Sequence, residues 1–296
     1  MFTATLIAPP GGLDAALVSA LQHAWGGADA VWLAPDEAAE FRISLVPDNH
    51  PEVWSDLQSQ RVDLVVQASE RRRKKMLLAD MDSTMIRQEC IDELAEVAGV
   101  GAHVRDITAR AMNGELDFEG ALLERVALLR GLPERVTREV LDTRITYMPG
   151  GAALVGTMRA HGAYTALVSG GFTAFTGAVA SHLGFDEHRA NTLLAEGGTL
   201  TGDVTRPILG GAAKVEALDE ITARLGLSVE DVIAVGDGAN DLGMLGRAGT
   251  GVALHAKPSV AAQCDIRIHH GDLTALLYLQ GYRREEFAPE PPTDRD

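Results

Sequence analysis

The segment Asp80-Met81-Asp82-Ser83-Thr84 follows the apolar run Leu77-Leu78-Ala79, which places two carboxylates two residues apart at the end of a strand. Carboxylates at such a position are unfavourable unless a cation or hydrogen-bond donors hold them. On this segment alone two readings stay open: groups that bind a cation and move protons, or an Asp/Ser cap on the following helix. A second cluster, Gly236-Asp237-Gly238-Ala239-Asn240-Asp241, ends another apolar run. It reads either as a Gly/Asn/Asp turn with a helix cap or as two more carboxylates and an amide facing the same crevice. Both clusters occupy equivalent strand ends, and two coincidental caps are the less economical account. Oxygen-only ligands favour one Mg²⁺, with waters and a substrate phosphate completing its octahedron, and no His or Cys cluster competes for a softer metal.

Two further segments suit an anion. Val168-Ser169-Gly170-Gly171-Phe172 offers a hydroxyl and backbone N–H groups at a helix start, a combination fitted to phosphate oxygens. A serine nucleophile is the rival reading there, but the pattern is not G-x-S-x-G and no base adjoins it. Lys214, ahead of an amphipathic helix, either supplies positive charge to a phosphoryl group or faces solvent as lone lysines generally do.

The elements that must position these residues form an α/β pattern. Strands are expected at 76–81, 163–169, 231–236 and 251–254, with helices at 151–161, 174–183, 212–225 and 241–247. This is a doubly wound, mostly parallel, Rossmann-like sheet, whose active residues gather beyond the carboxyl ends of the strands. The gap between the first two strands far exceeds one crossover helix. Its interior, about 89–146, has helical stretches at 91–98, 104–112, 118–130 and 133–141 and reads as an inserted helical cap. Residues 192–200, with Gly197-Gly198 between extended halves, read as a β-hairpin. Residues 1–75 form a separate small α+β unit in the order strand, helix, strand, strand, helix, strand. The doubly wound unit with its insertion is assigned to 76–282. The tail 283–296, with three of the twelve prolines, is expected to be disordered.

Composition narrows the class. The chain has 296 residues and a formal net charge of −16, which argues against nucleic acid as a partner. An anionic substrate therefore needs local cations to overcome the field of the whole protein. The one dense basic run, Arg71-Arg72-Arg73-Lys74-Lys75, reads as a solvated junction flanking a strand. No apolar run long enough to span a membrane and no signal peptide is seen, so a cytoplasmic location is expected. Cys90 and Cys264 lie far apart and outside any CxxC spacing, as small buried hydrophobes do.

In this order the four segments resemble the haloacid dehalogenase superfamily of aspartate-nucleophile phosphatases, over roughly 76–282. The D-x-D-x-T motif is present as Asp80, Asp82 and Thr84. The stretch Glu89-Cys90-Ile91-Asp92-Glu93-Leu94-Ala95 and the run Phe118 to Leu129 are similar to the branch that acts on phosphorylated serine. The resemblance implies that Asp80 is the nucleophile and that Asp82 is the general acid, then the general base. It implies Mg²⁺ held by Asp80, the backbone carbonyl of Asp82 and Asp237, supported by Asn240 and Asp241. Ser169, Gly170 and Lys214 would bind the phosphoryl group. Glu89 would receive the substrate ammonium and Arg125 its carboxylate, with Met112 and Phe118 as an apolar wall.

The implied reaction is hydrolysis of O-phospho-L-serine to serine and phosphate, the last step of serine biosynthesis. Two alternatives stay open: phosphotransfer to another small alcohol such as homoserine, and a non-catalytic amino-acid sensor. Residues 1–70 are more weakly similar to an ACT-like ligand-binding unit, whose role could be regulation, dimerisation or spacing.

Overall fold

The computed structural model describes residues 1–112 and 116–289. Its first part runs β1 (Phe2–Ile7), α1 (Ala15–Ala24), β2 (Val31–Ala34), β3 (Ala38–Ile43), α2 (His50–Gln58) and β4 (Asp63–Ala68). The strands pair antiparallel in the order β2-β3-β1-β4, which is the ferredoxin-like split arrangement. Alternation seats Ala4 and Leu6 of β1 in one apolar cluster with Leu13, Val18 and Phe41, while Ile7 faces the main core.

The chain continues through β5 (Met76–Ala79), α3 (Cys90–Val97), α4 (Gly101–Met112), α5 (Phe118–Ala127), α6 (Val136–Thr143) and α7 (Gly151–Ala160). Then come β6 (Tyr164–Phe172), α8 (Thr173–Leu183), β7 (Glu187–Asn191), and the hairpin strands β8 (Leu193–Glu196) and β9 (Thr199–Val204). The last part comprises α9 (Gly211–Leu225), β10 (Val232–Gly236), α10 (Leu242–Arg247), β11 (Thr250–Leu254), α11 (Pro258–Ala261), β12 (Ile266–Ile268) and α12 (Ala275–Leu279). Six strands form one parallel sheet ordered β12-β11-β10-β5-β6-β7.

Both faces of this sheet are covered, as continuous apolar strands require. Leu77 and Ala79 face the main core, whereas Met76 and Leu78 join Leu218 and Ile221 of α9 on the opposite side. From the central β5 the chain adds β6 on one side and later β10 on the other. The order therefore reverses between β5 and β10, and a ligand crevice is expected there.

The expected fold class holds, with three local differences. The sheet has six strands where four were expected, because β7 (Glu-His-Arg-Ala-Asn) has no apolar run and β12 is only three residues long. Both lie at edges, where burial demands less of the sequence. The hairpin forms as expected, with Gly197 and Gly198 both at positive φ. Residues 283–289, expected in a disordered tail, instead pack down: Arg284 bonds to Glu37 and Ala288 N–H donates to Thr157 Oγ1 at 2.7 Å. Residues 290–296 lie outside the described residues.

The basic run is also less solvated than its charge suggests. Arg72 pairs with Glu40 at 2.6 Å, Arg73 with Glu286 at 2.7 Å, and the buried Lys74 donates to the Glu230 carbonyl. Interspersed acids on neighbouring elements make this junction a set of ties between the two sheets.

A stronger tie is Asp63, fully buried at the start of β4. Its carboxylate accepts from the N–H groups of His269, His270 and Gly271 at 2.8, 3.0 and 2.8 Å. Asp63→Ala would strand three donors in the junction. We expect a loss of about 2–3 kcal/mol in unfolding free energy, measured by urea titration; an unchanged midpoint would show that water replaces the carboxylate there.

Candidate active site

Asp80 directly follows β5, and its N–H continues the ladder to the Val235 carbonyl at 3.0 Å. Its side chain is buried, and Oδ1 accepts from Lys214 Nζ at 2.5 Å. The same ammonium donates to Asp241 Oδ1 at 2.6 Å. Lys214 lies in the first turn of α9, where a cation opposes the helix dipole, and is 1% exposed. Two carboxylates compensate for that placement. Burial alone would lower the Lys214 pKa, but Asp80 and Asp241 outweigh it and hold the ammonium charged.

Asp241 is largely engaged, with three bonds to its carboxylate. Its Oδ2 accepts from Asp237 N–H at 3.1 Å and Gly238 N–H at 2.9 Å, while Oδ1 is on Lys214. Gly236 must lack a side chain, since a Cβ there would run into the Asp241 carboxylate. Asp237 keeps one bond, from Thr84 Oγ1 at 3.3 Å. Carboxylate oxygens of Asp80, Asp237 and Asp241 all lie within 4.8 Å of one another. Three carboxylates and one ammonium leave negative charge in a buried crevice. Burial, opposed by Lys214 and reinforced by Asp241 and Asp82, pushes Asp80 well above the carboxylate range. Burial with Asp241 and Glu89 raises Asp237 to about 7. This hard, oxygen-only, under-compensated donor set fits a divalent cation, with Asp80 and Asp237 as the available ligands.

Asp82 turns the other way. Ser83 takes φ +55 and redirects the chain, and Asp82 Oδ1 accepts from Cys90 N–H at 2.9 Å, capping α3 from eight residues away. Its Oδ2 receives Ser169 Oγ–H at 3.2 Å, and Ser169 Oγ in turn accepts from Gly171 N–H at 2.8 Å. Burial and Glu89 raise Asp82 to about 6 against these bonds. A carboxyl poised there can carry a proton at neutral pH and release it. The Ser169 segment differs from expectation in form: β6 runs on through Gly170-Gly171 to Phe172, and Gly171 N–H is already committed.

The inserted helices bring the remaining residues over these strand ends. Glu89, exposed at the start of α3, accepts from Ser83 Oγ at 2.7 Å. Arg125 on α5 donates through Nε to the Ala121 carbonyl at 3.1 Å. Burial lowers its pKa, and the charges of Asp92, Glu89 and Asp82 oppose the shift. Phe118 lies against Gly170 and Gly210. Asn240 packs its backbone against Gly211 at the start of α9. Met112 closes α4, and its side chain lies outside the described residues.

Two residues escaped the sequence reading. Asp92, half-buried and under the charge of Arg125, has no role of its own in the motif that contains it; its spacing from Glu89 on one helical turn was the available signal. Asn191, 1% exposed at the end of β7, donates to the Gly170 and Leu209 carbonyls at 2.9 and 3.1 Å and accepts from Leu209 N–H at 2.8 Å. No local pattern marked it.

Comparison with known proteins agrees with this architecture. The family model described as haloacid dehalogenase-like hydrolase matches residues 77–246. A phosphoserine phosphatase of Streptomyces coelicolor is 40% identical over 85% of this chain, which spans 62% of that relative's length. A haloacid dehalogenase family hydrolase from Salmonella enterica serovar Typhi superposes with a TM-score of 0.85 at 30% identity, covering 94% of this chain and 98% of that one. A solved phosphoserine phosphatase, described as a phospho-aspartyl intermediate analogue, gives a TM-score of 0.65 at 41% identity, covering 70% and 98%. The chain belongs to the haloacid dehalogenase-like hydrolase family.

The raised carboxyls carry a signed consequence. An acid whose pKa is higher folded than unfolded binds more protons in the fold between the two values, so stability falls as pH climbs through that window. For Asp237 the window runs from the ordinary 3.8 to about 7. The melting temperature of metal-free protein should drop between about pH 5 and about pH 8, and Mg²⁺ should restore more at the higher pH, where the ligands are ionised. Equal Mg²⁺ effects at both pH values would count against Asp80 and Asp237 as cation ligands.

Proposed function

We propose that this protein hydrolyses O-phospho-L-serine to serine and phosphate with Mg²⁺, through a phosphoryl group carried transiently on Asp80. The observation that carries this reading is the buried Asp80–Lys214–Asp241 cluster, beside an Asp82 raised to about 6 and beneath helices that bring Glu89 and Arg125 over it. The relatives named phosphoserine phosphatase support the same substrate.

In this mechanism an Asp80 carboxylate oxygen attacks phosphorus as the bond to the serine oxygen breaks. Asp82 gives its proton to that departing oxygen. Asp82 then takes a proton from a water that attacks the same phosphorus, which cleaves the acyl-phosphate bond and regenerates Asp80. Lys214 faces the charge developing on the transferring group, where most catalysis of phosphoryl transfer lies. Ser169 Oγ, which donates to Asp82, would turn that hydroxyl to a phosphate oxygen, with the adjoining Gly170 backbone beside it. Mg²⁺, when bound by Asp80 and Asp237, supplies positive charge to the phosphoryl oxygens. Glu89 and Arg125 provide opposite charges for the ammonium and carboxylate of the leaving amino acid.

A panel of small phosphomonoesters tests the assignment. Phosphate release with Mg²⁺ should be far faster from phosphoserine than from an aryl phosphate, and Asp80→Asn should lower turnover at least about a thousandfold. Wild-type turnover in that variant would remove Asp80 from the nucleophile's role. Separately, Arg125→Ala deletes charge-assisted bonds worth about 1.5–3 kcal/mol. The KM for phosphoserine should rise roughly ten- to hundredfold, with little change for a phosphate ester lacking a carboxylate; a matching rise for both would make Arg125 a structural residue.

A further inference from the structure

We propose that Gly170 and Gly210 form a seat for the ring of Phe118, that docking on this seat closes the helical insertion over the phosphoryl site, and that Asn191 sets the width of the seat. The inference rests on the phosphomonoesterase reading above and adds the device that positions its cover.

Phe118 is the first residue of α5, whose start is fixed by the Asp117 cap on Gly120 N–H at 2.7 Å. A Cβ added to Gly170 would lie 2.8 Å from Phe118 Cζ and 3.3 Å from Cε2. One added to Gly210 would lie 3.0 Å from Cδ1 and 3.2 Å from Cε1. The ring therefore rests on two stretches of bare backbone. Gly210 has φ −113 and ψ −156, extended backbone that any residue adopts, so its conformation does not call for glycine. The aromatic ring does.

The two halves of the seat are distant in sequence and are joined by one side chain. Asn191 bonds the Gly170 carbonyl on one side and both the N–H and the carbonyl of Leu209 on the other, with all three bonds between 2.8 and 3.1 Å. Gly170 adjoins Ser169, and Gly210 leads into α9 with Lys214. Phe118 thus docks on the two segments that would hold the phosphate, and its seat is in register only when they are. Asn191 touches no reacting atom in this arrangement; it is a positioning residue.

A double-mutant cycle tests this. Gly210→Ala adds one methyl against the ring and should lower kcat/KM about tenfold, the effect of overpacking a fitted contact. Phe118→Leu makes room for that methyl, so the double variant should be less impaired than the product of the single losses predicts. Asn191→Asp keeps the acceptor for Leu209 N–H but turns an oxygen on two carbonyls. It should raise KM more than it lowers kcat and should speed hydrogen exchange in α5 when Mg²⁺ and beryllofluoride are present. Full activity in Gly210→Ala, or losses that simply multiply in the double variant, would overturn the proposal. The cycle is run on whichever phosphomonoester the wild type turns over, so failure of the phosphoserine assignment and failure of the seat are told apart.

Discussion

A single buried ammonium, Lys214, lies between the carboxylates of Asp80 and Asp241, and the geometry of the strand ends follows from keeping that arrangement satisfied. Two buried charges of one sign around one of the other are tolerable only when every lone pair has a partner. Asp241 comes nearest to this by accepting the Asp237 and Gly238 N–H groups besides Lys214, which requires the tight turn after β10 and a bare Gly236. Asp80 achieves half of it through Lys214; among the described residues no hydrogen bond reaches its Oδ2. The remaining negative charge, shared with Asp237, is the electrostatic reason for a cation and an anionic substrate to enter together. The reversal of strand order between β5 and β10 brings the two acidic turns side by side in the first place.

Much of this was legible because it rests on short-range pattern. β5, β6, β10 and β11 are apolar runs in the middle of the sheet, and the first three end in turns whose residues serve little purpose in a plain loop. The competing reading of helix caps turned out to describe the same atoms. Asp82 does cap α3, through Cys90 N–H, and Asp241 does cap its own turn. Capping and chemistry are compatible here because a carboxylate has two oxygens, and each of these residues spends them differently. What stayed hidden depends on long-range pairing. Asn191 bonds to residues 18 and 21 positions away, and nothing in the surrounding Arg-Ala-Asn-Thr reports those partners. β7 carries charges because it is an edge strand, and for Lys214 the local residues left a solvent-facing reading open, because its two partners lie 134 and 27 residues off; the family resemblance was what singled it out.

The amino-terminal sheet is bound into the molecule more firmly than a tethered unit would be. Ile7, Leu33, Ala38 and Val65 belong to the same apolar core as β5 and α12. Glu37 accepts from Tyr278 and Arg284, and Gln67 donates to the Leu279 carbonyl. The start of α12 is in turn packed on the chain where it leaves the inserted helices: Leu273 N–H donates to the Pro149 carbonyl, and a Cβ on Gly150 would strike Thr274. One helix therefore lies between the ferredoxin-like sheet and the point where the chain leaves the inserted helices.

Recognition of the proposed substrate divides along the same line. Asp80, Asp82, Ser169, Lys214 and Asp237 stand on the parallel sheet or its flanking helix and present nothing specific to an amino acid. Glu89, Asp92 and Arg125 all stand on inserted helices. The charges of Asp92, Glu89 and Asp82 act on the half-buried Arg125 guanidinium, so its positive charge is already partly answered. An incoming carboxylate alone would have to displace that answer and would meet the acids as repulsion. An incoming ammonium alone would find Glu89 but leave Arg125 as it was. A ligand with both groups lets the two interactions form at once, each relieving the repulsion the other would create. That reciprocity favours a zwitterionic leaving group over a plain alcohol of similar size, and it operates only when the helices are down on the sheet.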